Sequence, residues 1–387
     1  MQMRCPNVAV VYHFYPHYRT AIVEALATSE RAEFTFFGDD HEYLHSIEPA
    51  VLSGGVRFVL APTHHLGGPF MWQWRAITIA FNPAFDTIVF HPVPHWPCTW
   101  IGALLARLMG KRVLFWGHGF LAPPRGVNGM IRRALHALAH VQMFYGRRSK
   151  QLAIDVGWSP EKLHVIYNSQ DFRKQVEARD RVSDQRRDEV RRELFGDDGT
   201  PVIVCPSRLV AVRKIDMLIR AAGALNSRGV AVKVILIGDG PQRANLEALA
   251  STLGVTVHFE GACYDESRLA ELIMAANVTV APGRVGLTVT HSMVYGVPVI
   301  SHGDANDQAP EWEAIIPSKT GSYFTKGSVD SLAEAIAPWL RTPYPTEKVR
   351  QDCHAIVNRF WTPTYQRRAI ERAVCGEDAD DLFDIRS

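Results

Sequence analysis

Ala281-Pro-Gly-Arg-Val-Gly-Leu-Thr-Val-Thr-His-Ser-Met-Val-Tyr-Gly-Val-Pro-Val-Ile-Ser301 reads as strand end, turn, helix and returning strand. Asn277 to Ala281 is a short apolar run of strand type, and Gly283 and Gly286 punctuate the turn after it. Leu287, Val289, Met293 and Val294 recur at helical spacing as far as Gly296, which suits a helix C-cap; Val297-Pro-Val-Ile300 then opens the next strand. Glycines at the head of a helix leave backbone N–H groups uncovered, and with the helix dipole these favour a bound anion. On turn chemistry alone, an ordinary tight turn of an α/β sheet reads the same way.

The same alternation runs outward in both directions. Before residue 170, strands are expected at Val8–Tyr12, Phe34–Phe37, Val56–Leu60, Thr87–Phe90, Arg112–Trp116 and Leu163–Tyr167. Helices are expected at Tyr18–Ala27, Trp100–Met109, Asn128–Ala139 and Ser149–Val156. A charged stretch from Phe172 to Glu193 reads as one exposed helix with a solvated face. After the turn Gly196–Gly199 comes a second alternating set, with strands at Val202–Cys205, Val232–Ile237, Val255–Phe259, Val278–Ala281 and Val297–Ser301. Each set predicts a mainly parallel sheet covered by helices, with ligands at the carboxyl ends of its strands. The expected division is 1–170 and 171–360, with a C-terminal helix at about 361–387 returning to the first part.

A chain of 387 residues with 47% hydrophobic and 21% charged residues fits a two-domain globular protein. A net charge of +2 argues against a general nucleic-acid binder, so no nucleic-acid partner is expected. The six cysteines form no Cys-x-x-Cys pair, and the N-terminus has no long apolar core of a signal peptide. Both point to reduced thiols and a cytoplasmic protein.

Several stretches, in order, resemble family-4 retaining glycosyltransferases of the GT-B fold. Gly286, Leu287, Gly296, Pro298, Val299 and Ile300 match the donor signature, in which a Gly-Leu turn opens a helix beneath the diphosphate of a nucleotide sugar. Ser207-Arg-Leu-Val-Ala-Val-Arg-Lys214 is similar to the place where an arginine and a basic residue five further on grip that diphosphate. Arg208 and Arg213 stand there, with Lys214 adjacent and Asp216 at the head of the next helix. Fixed cations at this point would stabilise the charge that develops as the sugar–phosphate bond breaks. Gly238-Asp-Gly-Pro241 resembles the family's Gly-x-Gly-Pro turn. Cys263 and Tyr264 match the loop bordering the base, and Glu313–Gly321 resembles the close of the donor domain. The family's paired glutamates are replaced by Gly283 and His291.

The resemblance implies two Rossmann-like domains facing each other across a cleft, with acceptor recognition in the first and donor recognition in the second. Arg208 and Arg213 would hold the diphosphate, helped by Lys214 and the turn Gly286-Leu287-Thr288. His118, in Gly117-His-Gly119 at a strand end, would orient the sugar. Gly238, Cys263, Tyr264, Gly283 and His291 complete the expected donor site. His13, Tyr18 and Arg19 are the candidates for the acceptor, which the resemblance leaves open as a carbohydrate, a lipid-linked or a small-molecule hydroxyl. Arg132, Arg133, Arg147, Arg148 and Lys150 suggest a peripheral contact at the inner membrane surface. His136 and His140 are spaced i, i+4, but no glutamate follows His136, so no metal and no cofactor beyond the donor substrate are expected. Two other functions fit the same signature: a nucleotide-sugar epimerase cutting the same bond, and a non-catalytic nucleotide-sugar binder suggested by the missing glutamates.

Overall fold

Short apolar runs set the frame. Thr87–Phe90 and Val141–Phe144 are buried at every position, as parallel strands covered on both faces must be. A computed structural model describes residues 5–41, 48–196 and 199–379. The described residues divide into two compact units, 5–171 with 360–379, and 172–359.

Unit 1 carries strands β1 (Asn7–Phe14), β2 (Glu33–Asp39), β3 (Phe58–Leu60), β4 (His64–Gly67), β5 (Phe70–Trp72), β6 (Thr87–Phe90), β7 (Arg112–Gly117), β8 (Val141–Phe144) and β9 (Leu163–Val165). Seven of them form a parallel sheet in the order β3-β2-β1-β6-β7-β8-β9, while β4 and β5 pair as a hairpin. Alternate residues split the core. Val8, Val10 and Leu114 face α1 (Thr20–Ala27) on one side, and Ala9, Ile88, Phe90, Val113 and Phe115 face the other. That second side is covered by α2 (Trp74–Thr78), α3 (Pro97–Leu108) and the end of α4 (Gly126–His136), and α5 (Arg147–Ile154) lies beside β8 and β9.

Unit 2 opens with α6 (Phe172–Asp180) and α7 (Asp184–Phe195). It continues β10 (Val202–Pro206), α8 (Ile215–Ser227), β11 (Lys233–Ile237), α9 (Arg243–Thr252), β12 (Val257–Gly261), α10 (Glu266–Met274), β13 (Val278–Ala281), α11 (Thr288–Val294), β14 (Val299–His302), β15 (Gly321–Phe324), α12 (Val329–Ile336) and α13 (Glu347–Phe360). Its sheet runs β12-β11-β10-β13-β14-β15, parallel throughout. The last helix, α14 (Pro363–Cys375), packs on α1 in unit 1.

Some expectations need correction. The charged stretch is two helices, not one, and its face is not wholly solvated. Arg191 is fully buried, its guanidinium 3.9 Å from the Tyr344 ring centroid, and it donates to the carbonyls of Ala275 and Pro343 and to Asn277 Oδ1. Its donors are satisfied by carbonyls and an amide, so burial of the charge is tolerated. The helix expected from Tyr18 begins as a 3₁₀ turn, His17–Arg19, and becomes α-helical at Thr20. The terminal helix stops at Cys375, where Gly376 takes a left-handed φ of 85°. The expected tail beyond 379, and the middle of the Gly196–Gly199 turn, lie outside the described residues.

Candidate functional site

In a doubly wound sheet the crevice for a ligand opens where strand order reverses. In unit 2 that point lies between β10 and β13. The two connections leaving these strands fold onto each other. Gly283 N–H donates to Arg213 O at 3.1 Å, and Arg213 Nη1 donates to Arg284 O at 2.6 Å. Thr288 Oγ1 reaches back to Pro206 O at 3.4 Å. Lys214 caps α8 with a left-handed φ of 55°, leaving Lys214 and Asp216 exposed at the head of the helix. Arg208 is exposed and Arg213 half-buried.

Glycines let the backbones approach. A Cβ at Gly238 would sit 2.1 Å from Ser207 O, and one at Gly283 would sit 2.7 Å from Val212 O and 2.9 Å from Arg213 O. Gly283 therefore does not leave a vacant place where a glutamate might have been; the arginine loop fills it. Gly286 is different, since a Cβ there would meet no atom within 4 Å. The backbone N–H groups of Gly286, Leu287 and Thr288 make no hydrogen bond to another described residue. The regular helix begins at Thr288, two residues later than expected, with Leu287 as its N-cap.

The turn is fastened from below by residues that sequence reading missed. Gln308, 1% exposed, accepts from Val285 N–H at 2.8 Å and donates to Ser301 Oγ and His302 O. Ser301 Oγ in turn donates to Ala281 O at 2.9 Å, and Thr279 Oγ1 bonds Ser292 Oγ at 2.8 Å, fixing α11 to β13. Glu266, the first residue of α10, was also missed. Its Oε1 lies 2.6 Å from His291 Nε2 and also accepts from the Tyr295 hydroxyl. Burial pushes the Glu266 carboxyl up, but the bond to His291 and its charge outweigh this, and the net shift is down. No spacing rule links positions 266 and 291; only the sheet order brings them together. Cys263 is half-buried, its Sγ 3.8 Å from Asp265 O and its thiol pushed up by burial, and Tyr264 is 80% exposed.

Unit 1 has its own reversal point, between β1 and β6. His13 ends near His91, ring centroids 6.0 Å apart, with Trp96 edge-on to His13 at 4.7 Å. Burial, helped by the charge of Arg19, pushes His13 down to about 3. His91 is lowered as well, chiefly by burial, and its Nδ1 meets Trp116 O at 3.1 Å. Arg19 is 5% exposed. Its guanidinium lies 4.5 Å from the Tyr12 ring centroid and 5.1 Å from that of Trp116, and it donates to the Tyr145 hydroxyl. Aromatic faces thus do the work of a counter-charge. Tyr18 is half-buried beside it, edge-on to His17 at 5.5 Å. His118 is exposed at the end of β7, its ring edge-on to Tyr145 at 5.0 Å, and its carbonyl accepts from Ser149 Oγ. Gly119, with φ 63°, lies so close to the Phe144 ring that a Cβ would approach to 2.5 Å, so the loop presents His118 from a glycine that only glycine can fill.

The pair His136 and His140 is taken apart, since α4 ends at His136 and His140 lies beyond it. His136 is buried against Gln142, and burial pushes it down to about 4; His140 Nδ1 accepts from Val113 N–H. Among the described residues the cluster compact enough for a cation is Asp39, Asp40 and His41. Asp39 there accepts from the N–H groups of Thr63 and Asp40, which fastens a loop.

Comparison with known proteins fits this geometry. Residues 186–356, most of unit 2, match the family profile of glycosyl transferases group 1. A GDP-mannose-dependent alpha-(1-6)-phosphatidylinositol monomannoside mannosyltransferase of Mycolicibacterium smegmatis is 32% identical over 182 residues, 44% of this chain and 45% of that one. An alpha-D-kanosaminyltransferase of Streptomyces kanamyceticus is 25% identical over 227 residues, covering 57% of this chain and 56% of the other. The chain thus spans about half the length of these relatives. The crystal structure of Anabaena Alr3699/HepE in complex with UDP superposes with a TM-score of 0.71 at 17% identity, over 96% of this chain and 100% of that one. The fold is accordingly GT-B, two parallel-sheet α/β domains.

Proposed function

We propose that this chain is a retaining, family-4 type glycosyltransferase that moves a sugar from a nucleoside-diphosphate sugar to an acceptor hydroxyl, without a metal ion. The observation that carries the reading is the turn at 286–288. Three unspent backbone N–H groups there, with open space before Gly286, share a strand-end crevice with Arg208, Arg213 and Lys214. Backbone donors and arginine forks suit a diphosphate.

In this reaction the acceptor oxygen attacks the anomeric carbon from the face that the diphosphate leaves. The sugar–phosphate bond breaks, and a phosphate oxygen takes the acceptor's proton. Arg208, Arg213 and the turn stabilise the charge that collects on the leaving group. His118 orients the sugar. Glu266, steadied by His291 and Tyr295, supplies the carboxylate for the ribose hydroxyls that a glutamate at position 291 would otherwise offer. His13, Tyr18 and Arg19 belong to the acceptor side. The site of action is the cytoplasm.

The relative named above uses GDP-mannose and the structural neighbour holds UDP, so GDP and UDP are the first ligands to try. One of them should raise the melting temperature in a concentration-dependent way, and the matching sugar nucleotide should be consumed with transfer to an acceptor. Stabilisation without turnover would favour the non-catalytic binder, the reading to which the filled place at Gly283 lends support. Failure of every nucleoside diphosphate to bind would end the proposal.

A further inference from the structure

We propose that unit 1 docks on an anionic lipid bilayer through the outer faces of α3 and α4. From Pro49 to Ile154 the chain has 11 Lys and Arg residues and one acidic residue, Asp86. With a net charge of only +2 overall, the positive charge is concentrated in this stretch and the rest of the chain is net acidic. Asp86 stands at the amino end of β6, its carboxylate accepting from Asn7 N–H. The same stretch holds most of the exposed apolar surface. Of 17 large apolar side chains exposed among the described residues, 14 are in unit 1 and three in unit 2.

Six of these side chains lie on two helices. On α3 the inward residues Cys98, Ala103 and Ala106 are buried, while Ile101, Leu104 and Leu108, at i, i+3 and i+7, stand 40%, 49% and 73% exposed. That is a helix apolar on both sides, with the outer stripe left exposed by the described residues. On α4, Val127, Met130 and Ile131 form a second stripe, 65%, 61% and 42% exposed. Arg132 and Arg133 are exposed and, at 100° per residue, fall on either side of it. Both helices lie on the same face of the sheet, α3 through Ala103 and Ala106 and α4 through Leu135, and Arg107 Nη1 ties the end of α3 to Leu138 O. Their outward stripes therefore belong to one layer. A helix with a short apolar stripe and flanking arginines lies in a lipid interface, with its stripe among the acyl chains and its cations at the headgroups. No helix of the described residues is long and apolar enough to cross a membrane, so this contact would be peripheral. A bilayer is favoured over a second copy of the chain because two such faces would bring like charges together.

The docking goes beyond the transferase reading and is tested without donor or acceptor. The full chain should co-sediment with vesicles of phosphatidylcholine and phosphatidylglycerol, much less with phosphatidylcholine alone, and added salt should release it. Leu104→Glu with Leu108→Glu should weaken vesicle binding by about tenfold or more, as should Val127→Glu with Met130→Glu. Arg132→Gln with Arg133→Gln should weaken it less and blunt the salt dependence. Circular dichroism and nucleoside-diphosphate affinity should be unchanged, since these side chains are exposed and lie outside the donor crevice. A chain that stays in the supernatant with anionic vesicles overturns the proposal. So do glutamate variants that sediment as well as the parent, or variants whose main effect is to split a dimer in analytical ultracentrifugation.

Discussion

The carboxyl ends of β1 and β6 and those of β10 and β13 hold the same place in their sheets, yet they are made of different chemistry. In unit 2 the crevice is glycine, arginine and bare backbone. Gly238 and Gly283 admit carbonyls where any side chain would collide. In unit 1 it is rings: Tyr12, His13, His91 and Trp96, with one cation, Arg19, buried among aromatic faces. Topology decides where a crevice opens; the first residues past the strand ends decide what it can hold. Phosphate needs donors and positive charge, whereas a sugar can rest on aromatic faces and neutral imidazoles.

Acid should separate the two regions most. In unit 1, burial pushes His13 down to about 3 and His136 and His164 to about 4. In unit 2 the partly exposed His354 is lowered to about 4. Each stays neutral in the fold while its unfolded counterpart protonates near 6.5. The stability they contribute is thus complete above that value and is lost as pH falls from 6.5 toward 4. By linkage, pH 5 costs roughly 1–2 kcal/mol for each fully buried histidine. Hydrogen exchange at pH 7.5 and pH 5, corrected for intrinsic rates, should show protection falling further in unit 1 than in unit 2. An equal fall would break the contrast.

The contrast sharpens with Arg208→Ala. Arg208 is exposed and makes no contact that holds the core, so the fold should survive. Affinity for the preferred nucleoside diphosphate should drop roughly 30-fold or more by calorimetry. Unchanged affinity would remove Arg208 from the site and leave Arg213 and the turn to explain any binding.

Gly283→Glu asks whether the missing glutamate can be put back. The new Cβ would press on Val212 O and Arg213 O, both backbone and unable to swing aside. The substitution should destabilise unit 2 by about 1–3 kcal/mol and weaken nucleotide binding together, because moving the arginine loop does both. A stable variant with improved turnover would mean that the loop yields.

The sequence made parts of this legible for physical reasons. Buried parallel strands are unbroken apolar runs, so Thr87–Phe90 and Val278–Ala281 are found where they were expected. β8 escaped because Gln142 interrupts its run; in the fold that amide is spent on His136. Arg191 looked solvated because charge patterning carries no record of Tyr344 lying more than 150 residues away. The positions of Arg208, Arg213 and Gly286 follow from strand, turn and helix in order. The packing against Gly283 and the bond from Glu266 to His291 are tertiary facts, set by which strands become neighbours.

The smallest expected effect tests that last bond. Glu266 and His291 meet on adjoining elements, and each is about one-sixth exposed at its side chain. If Glu266 reads the ribose, His291→Ala should act indirectly, by loosening a carboxylate that Tyr295 still holds. The cost to donor binding should be about 1–2 kcal/mol, with Glu266→Gln at least as costly. A purely structural pair would lower the melting temperature without touching affinity in the folded fraction. The sharper comparison uses a 2′,3′-dideoxy nucleoside diphosphate. Against it, the parent and Glu266→Gln should bind almost alike, because the hydroxyls that the carboxylate would accept from are gone. If Glu266→Gln is as damaging with the dideoxy ligand as with the natural one, the carboxylate serves α10 and α11 and the ribose is held elsewhere. His291 then fills the place of a donor-site residue without doing its work.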